Sequence, residues 1–125
     1  MGVNVMWHVK MAHSEAEHRE WKRAMGALFE KRRPPAHIRA QLDLECRIKV
    51  ASVEVLEIRP KWDRPDRKVE RPIAKATYVK TKNHWRIFWQ RRDLKWHRYD
   101  PSPEVATLQA FAKLVAEDKH ACFFG

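Results

Sequence analysis

Three residues on predicted strands carry side chains that could support hydrolysis. Glu57, Asp93 and His97 are of the types that hold a divalent cation or activate a water molecule. Their context weakens this hypothesis, because the stretch around Glu57 reads Glu-Ile-Arg and lacks the acidic-x-lysine pair of restriction-like nucleases. Charged strand residues are also more often paired or solvated than reactive. A metal-dependent nuclease or other hydrolase therefore stays an alternative, and a binding function without enzymatic activity is favoured.

The histidines, cysteines and glycines lack the spacing of metal and nucleotide motifs. No two of the seven histidines are four residues apart, and Cys46 and Cys122 have no neighbouring thiol in the sequence. The three glycines, at positions 2, 26 and 125, cannot form a loop that cradles phosphate groups. We therefore expect no metal site and no cofactor. Unpaired cysteines and the lack of a signal-like apolar start predict a cytoplasmic protein with reduced thiols.

The stretch HWRIFWQRRDLKWHRYD, residues 84–100, combines three tryptophans, a phenylalanine and a tyrosine with five lysines and arginines. Basic side chains release counterions when they meet a phosphate backbone, and nearby rings can stack on unpaired bases. Alternation predicts that Trp85, Ile87 and Trp89 face the core, which leaves the basic groups on the opposite face with those of neighbouring strands. The expected ligand-binding residues are Arg59, Lys75, Tyr78, Lys80, Arg86, Arg91, Arg92, Lys95, His97 and Tyr99.

Composition and charge restrict the class of protein and of partner. The 125 residues carry a formal net charge of +10, are 44% hydrophobic and fit one globular domain. Residues 81–100 hold six basic and two acidic groups, so the densest positive charge coincides with the densest aromatic content. No apolar run approaches membrane-spanning length, and we expect no membrane partner. The expected ligand is nucleic acid, RNA or DNA, or another phosphate-rich molecule. A protein-interaction module is the alternative, and the oligomeric state is left open.

Two segments have the periodicity and end signals of helices. In residues 14–33, Ser14 and Glu17 form a capping box, and an apolar stripe recurs every three or four residues until a pair of prolines. Residues 102–118 open with Ser102 as the cap and a proline at the first helical position, and they again carry one apolar face. We expect this second helix to pack on the sheet, because its apolar face has no other partner of matching size.

Between the helices, alternating or β-branched apolar runs predict strands. The charged segment 61–71 is predicted as a loop between two of them. In the short fifth run, we expect Leu94 and Trp96 to lie opposite Lys95, His97 and Tyr99. The order helix, antiparallel meander of four to five strands, helix predicts a two-layer α+β domain with one open sheet face. The predicted strands are residues 42–50, 52–60, 72–81, 84–90 and 94–99.

The apolar faces of these elements predict the core and the fate of the C-terminus. The final HACFFG is too apolar for a free tail, and we expect Phe123 and Phe124 to pack against the domain. The residues expected to be buried are Trp21, Leu28, Phe29, Ile48, Val55, Ile87, Leu108, Phe111 and Val115.

Several motifs carry a family resemblance. The stretches EIRPxW, AKATYVK and DLKWHxY, together with MAHSEAEH near the start and HACFFG at the end, resemble the bacterial family known as domain of unknown function 3024. The resemblance covers residues 11–125 and implies no activity. It also implies that residues 1–10 are a disordered extension or an alternative start, with Met11 as the natural first residue and 11–125 as the single α+β domain.

Overall fold

A six-stranded antiparallel sheet forms one layer of the structure, and helices cover one of its faces. The computed structural model describes residues 15–124, so Ser14 of the expected capping box and the expected extension at 1–10 lie outside the described residues. The elements in chain order are α1 (Glu15–Ala24), α2 (Gly26–Arg32), β1 (Asp43–Ile48), β2 (Ser52–Lys61), β3 (Arg64–Val79), β4 (His84–Gln90), β5 (Trp96–Arg98), β6 (Glu104–Val105) and α3 (Leu108–Glu117).

The predicted fold class is confirmed. The strands follow one another as β1–β2–β3–β4–β5, and β6 pairs with β4 where β5 has ended. The N-terminal helical segment and α3 lie on the same face of this meander, which makes the domain α+β. Within residues 15–124, no helix combines the length and the apolar character needed to cross a bilayer.

The N-terminal helical segment is broken at Met25, where a single helix was predicted. Helix α1 ends at Ala24 and α2 starts at Gly26, a residue of low helix propensity. Met25 at the break and Leu28 in α2 are both fully buried.

The segment 61–71, predicted as a loop, is strand for most of its length. Lys61 pairs with Arg64 across a tight turn, and Pro60 pairs with Lys68 beyond a bulge on β3. The prediction was wrong because neither the prolines nor the charges of this segment prevent strand pairing. Proline is tolerated at bulges and on strand edges, where no ladder hydrogen bond needs its missing N–H.

This hairpin extends beyond the rest of the sheet, and we call residues 59–71 the arm. The pairing of β1 with β2 stops at Ile58, and the pairing of β4 with β3 starts only at Ala74. The arm therefore has strand partners mainly within itself. It touches the segment before β1 through Lys68, whose Nζ donates to the carbonyl oxygen of Ala40 over 3.1 Å.

Helix α3 begins at Leu108, later than predicted. The cap is Thr107, whose Oγ1 accepts a hydrogen bond from the Ala110 amide at 3.1 Å. The residues expected to start the helix instead complete the sheet: the Ile87 amide donates to the Pro103 carbonyl, and β6 pairs with β4. The backbone groups of β4 beyond β5 would otherwise have no partner, which is the physical reason for the difference.

The core lies between the sheet and the helices. Seven of the nine residues predicted to be buried are so, whereas Phe29 and Ile48 are half-buried at its edge. Around its centre, the Trp21 and Trp85 rings meet edge to face with centroids 5.0 Å apart. The side chains that are completely inaccessible include Met25, Leu28, Val53, Val55, Ile87, Phe111 and Val115.

The C-terminal segment packs against the domain, as predicted. Asp118 ends α3 in a left-handed conformation, with φ of 44°, and its two carboxylate oxygens accept hydrogen bonds from the amides of Phe123 and Phe124 at 3.1 and 3.0 Å. Phe123 is buried against Tyr99, with ring centroids 4.8 Å apart. The guanidinium of Arg32 covers the Phe124 ring at 4.6 Å.

Candidate functional site

The face of the sheet opposite the helices, which we call the open face, carries charged and aromatic side chains. Alternation along β4 is as predicted, since Trp85 and Ile87 are buried towards the helices while Arg86 and Phe88 point away. Because paired residues share a face, the strand registers extend this assignment to the neighbouring strands. One row across the open face reads Arg47, Glu54, Lys75, Phe88 and Arg98.

On β5, the faces are the reverse of the prediction. Leu94 adopts a left-handed conformation in the turn before the strand, with φ of 61°, and this shifts the phase of the alternation. Trp96 therefore lies on the open face, while His97 pairs with Trp89 on the helix side. Tyr99 is 2% exposed and belongs to the core, so its expected position on the open face was wrong.

Tyr78 was also placed on the wrong face. It pairs with Trp85 in the register of β3 and β4, and the two rings lie 5.0 Å apart on the helix side. Its hydroxyl donates to the Asn83 side chain over 2.7 Å. Lys80 is exposed in the β3–β4 turn, which lies at the end of the sheet away from the arm. These two residues are therefore remote from the basic stretch that follows β4.

Lys75 lies at the centre of the open face between two rings. Its Nζ is 5.1 Å from the centroid of Phe88 and 4.7 Å from that of Trp96, which is the geometry of cation–π contact. Burial lowers the pKa of Lys75, and the nearby carboxylate of Glu54 opposes this shift. The ammonium is therefore already partly desolvated by its own protein neighbours.

The other charges of the open face are largely paired. Glu54 is buried and binds Lys49 at 3.2 Å, Arg47 forms an ion pair with Glu70 of β3, and Arg98 Nε lies 2.9 Å from Asp100. Arg86 stands opposite Glu104 in the register of β4 and β6. The open face thus carries interspersed positive and negative charges and is not a continuous positive surface.

A more strongly basic region lies at one end of the sheet. In an antiparallel meander, the β2–β3 and β4–β5 connections emerge at the same end. The arm and the β4–β5 turn, residues 91–95, therefore lie together, and we call these two segments the basic end. They hold nine basic and four acidic residues, a net charge of +5, which is half of the formal charge of the whole chain.

Within the basic end, most cations have no acidic partner. Arg59 lies 3.8 Å from Glu57, Lys61 lies 3.8 Å from Asp63, and the Lys68 ammonium donates to a backbone carbonyl. Among residues 15–124, no carboxylate forms an ion pair with the remaining six. These six are Arg64, Arg67, Arg71, Arg91, Arg92 and Lys95.

Apolar side chains stand among these cations. Trp62, at the turn of the arm, is 92% exposed, and Leu94, in the β4–β5 turn, is 71% exposed. Val69 on the arm is also exposed. An exposed apolar side chain that stands among charged ones is available for contact with a partner. The sequence contained this signal, because KWDRPDRKVER holds five basic residues and a tryptophan outside any alternating pattern.

A pocket of about 610 Å³ opens where the two segments meet. Arg71 contributes from β3, and Arg91, Arg92 and Asp93 contribute from the β4–β5 turn. Trp89 forms one wall, and the C-terminal segment closes another at Ala121 and Cys122. The Arg91 guanidinium lies 5.5 Å from the centroid of the Trp89 ring.

Of the three residues considered for hydrolysis, Asp93 and His97 are in contact and Glu57 lies apart from them. The Asp93 carboxylate accepts from the Lys95 amide at 2.9 Å and meets His97 Nε2 at 2.8 Å, and these hydrogen bonds lower the pKa of Asp93. Glu57 takes part in a different ion pair, with Arg59. In the part of the chain that the structure describes, no group of three or more His, Cys, Asp or Glu side chains could hold a metal ion.

The sequence of the chain shows its family. Residues 13–125 match the model of a domain of unknown function, DUF3024, so the chain belongs to that family. No curated protein and no solved structure matches the chain.

Proposed function

We propose that this protein binds nucleic acid through the basic end of its sheet. The observation that carries the proposal is the group of six basic side chains without an acidic partner among the described residues. A phosphate backbone that replaces their counterions gains affinity from counterion release. The exposed Trp62 ring supplies a surface on which a base can stack.

The shape of the arm supports the same proposal. A two-stranded β-ribbon fits the major groove of duplex DNA, and an aromatic side chain at its tip also suits a single strand with unpaired bases. Residues 61–71 are exposed, so the arm presents its side chains without rearrangement of the core. Of the residues expected from the sequence, Arg59, Arg91, Arg92 and Lys95 belong to this surface, whereas Lys75 and Arg86 lie on the open face.

A salt series with labelled single- and double-stranded DNA and RNA tests the proposal by fluorescence anisotropy. The logarithm of the affinity should fall linearly with the logarithm of the salt concentration, by about 0.7 to 0.9 per neutralised phosphate. Replacing both Arg91 and Arg92 by alanine should weaken binding to every sequence and reduce this slope by about two contacts.

Two control variants remove an arginine elsewhere. Arg23→Ala removes an exposed cation from α1, and Arg98→Ala removes one that Asp100 already pairs on the open face. Both should leave the slope close to that of the parent. The proposal is wrong if no nucleic acid binds at low salt, or if the double variant binds as tightly as the parent.

A protein partner is the second candidate, and the exposure of Trp62, Leu94 and Val69 favours it. Apolar contacts depend much less on salt than phosphate contacts do, because they release no condensed counterions. A partner that binds the basic end with little salt dependence, and that loses affinity with Trp62→Ala but not with the arginine variants, would replace nucleic acid in the proposal.

We further infer a cytoplasmic location in a bacterial cell. Cys46 and Cys122 are both free thiols, a state that reducing compartments maintain. Burial raises the pKa of the Cys46 thiol to about 12, which keeps it unreactive. Fractionation of cells that express the tagged protein checks the location, and recovery outside the cytoplasmic fraction would contradict it.

A further inference from the structure

The pocket at the basic end has features that backbone binding alone does not explain. An internal phosphodiester carries one negative charge and can be held by cations on an open surface. Here, Arg71 and the pair Arg91 and Arg92 converge from two separate elements on one depression. The C-terminal segment lines another side of it, at Ala121 and Cys122.

The charge of the pocket suits a doubly charged group. Three arginines and one aspartate leave a net charge of +2. The Asp93 carboxylate is already engaged, because Oδ1 accepts from the Lys95 amide and Oδ2 meets His97. A phosphate monoester carries a charge of about −1.5 to −2 at neutral pH, which matches the remaining guanidinium groups better than a diester does. Arginine is the side chain best suited to bind such a group through paired hydrogen bonds.

The size and the lining of the pocket leave room for more than a phosphate. Its volume of about 610 Å³ lies within the range of small-molecule sites, roughly 300 to 1,000 Å³. Trp89 supplies an indole wall that Arg91 covers on one side, and its ring also lies 6.4 Å from that of His97. An aromatic wall beside arginines is a surface on which a base can stack.

We propose that this pocket binds the terminal nucleotide of a nucleic-acid strand, with the guanidinium groups of Arg71, Arg91 and Arg92 around a terminal phosphate monoester and the base against Trp89. This inference rests on the proposed function and names its ligand more closely. The arm then holds the backbone that leads away from the strand end.

The test compares single-stranded oligonucleotides of one sequence with a 5′-phosphate, a 3′-phosphate or hydroxyl groups at both ends. A fourth oligonucleotide with hydroxyl ends and one further nucleotide adds the charge of an internal phosphate without a terminal monoester. One of the two phosphorylated strands should bind about tenfold to a hundredfold more tightly than both hydroxyl-ended strands, the effect of one or two charge-assisted hydrogen bonds.

Arginine variants test whether the preference for a terminal phosphate depends on this pocket. Arg71→Ala and Arg91→Ala should abolish the preference for a terminal phosphate, and Arg91→Lys should not restore it, because lysine keeps the charge but not the paired hydrogen bonds. Arg64→Ala, at the turn of the arm, should weaken all four strands equally and keep the preference. Because these side chains lie outside the core cluster, thermal unfolding should stay unchanged and confirm intact folding.

Different binding results would contradict the terminal-nucleotide site and nucleic-acid binding as a whole. If all four oligonucleotides bind with salt dependence but without a preference for a phosphorylated end, the terminal-nucleotide site is wrong and nucleic-acid binding stands. The same holds if the preference persists in Arg71→Ala and Arg91→Ala. If no oligonucleotide binds at low salt, both are wrong.

Discussion

The open face and the basic end are both rich in lysine and arginine, yet they differ in what those side chains meet. On the open face, acidic residues form ion pairs with neighbouring basic ones, as with Glu54 next to Lys49 and Asp100 next to Arg98. At the basic end, turns and a bulged hairpin separate the side chains, and six cations have no acidic partner in residues 15–124. Charge density in a sequence thus indicates a binding surface only where the fold leaves the charges unpaired.

The largest expected effect tests whether the two regions share one core. Phe111 on α3 is fully buried against the sheet that supports both. Phe111→Ala should lower the free energy of unfolding by about 3–5 kcal/mol, through lost burial and the cavity left behind. Thermal unfolding followed by circular dichroism measures this. Loss of one region with the other still folded, or an unchanged midpoint, would show that the two are independent or that α3 packs elsewhere.

A substitution with a smaller effect on stability should disturb the basic end and leave the open face unchanged. Phe123 anchors the C-terminal segment, which lines the basic-end pocket, and it packs in the core on the side of the sheet opposite the open face. Phe123→Ala should cost about 1.5–3 kcal/mol of stability. It should also release Cys122, whose thiol pKa is raised chiefly by burial.

Thiol modification provides the measurement for this variant. Cys122 should react faster with a maleimide in Phe123→Ala than in the parent, whereas Cys46, whose pKa is about 12, serves as the internal control and should stay slow. Equal rates at Cys122 in the two proteins would contradict the anchoring role of Phe123.

The smallest expected effect concerns the aspartate inside the basic end. The hydrogen bonds from the Lys95 amide and His97 hold the pKa of Asp93 below its ordinary value. The unfolded chain therefore binds more protons there than the folded one, so the stabilisation is complete above about pH 4 and is lost as the pH falls through the folded pKa. Asp93→Asn should remove this acid dependence in thermal melts at pH 5 and pH 3.

The Asp93→Asn variant also tests whether an acidic residue weakens binding more at the basic end than on the open face. Asp93→Asn should strengthen oligonucleotide binding at neutral pH, because it removes a negative charge among unpaired cations. Asp100→Asn, which frees Arg98 on the open face, is the matched variant, and it should change affinity less. An equal gain from both would mean that the ligand reaches the open face as well.

Much of the fold was predictable because apolar periodicity reports burial directly. The alternation of Trp85 and Ile87 placed β4 correctly, and the stripe through Leu108, Phe111 and Val115 placed α3 on the sheet. The start of α3 was not predictable from its cap signals, because Ser102 and Thr107 both suit an N-cap. The choice between them depends on β4, which needs a strand partner at Glu104.

The site was less predictable because it depends on turn geometry. One left-handed residue, Leu94, reverses the faces of β5 and moves Tyr99 from the expected surface into the core. The arm was missed because its strands contain few apolar residues, so no alternation marks them. What the sequence did show there was charge, and the structure shows that Arg71 of this segment meets Arg91 and Arg92 in one pocket.

Strand β3 belongs to both environments, since it runs from the exposed turn at Arg64 to the buried centre of the sheet at Ala76. Its amide protons should consequently exchange with solvent over a wide range of rates along a single strand. Amides near Lys68, paired with one neighbour and open to water, exchange by local opening, whereas those near Ala76, flanked by β2 and β4, exchange only in larger unfolding events. A ligand on the arm would therefore slow exchange of the amides near Lys68. The amides near Ala76, in the same strand, would keep their rates and serve as an internal reference.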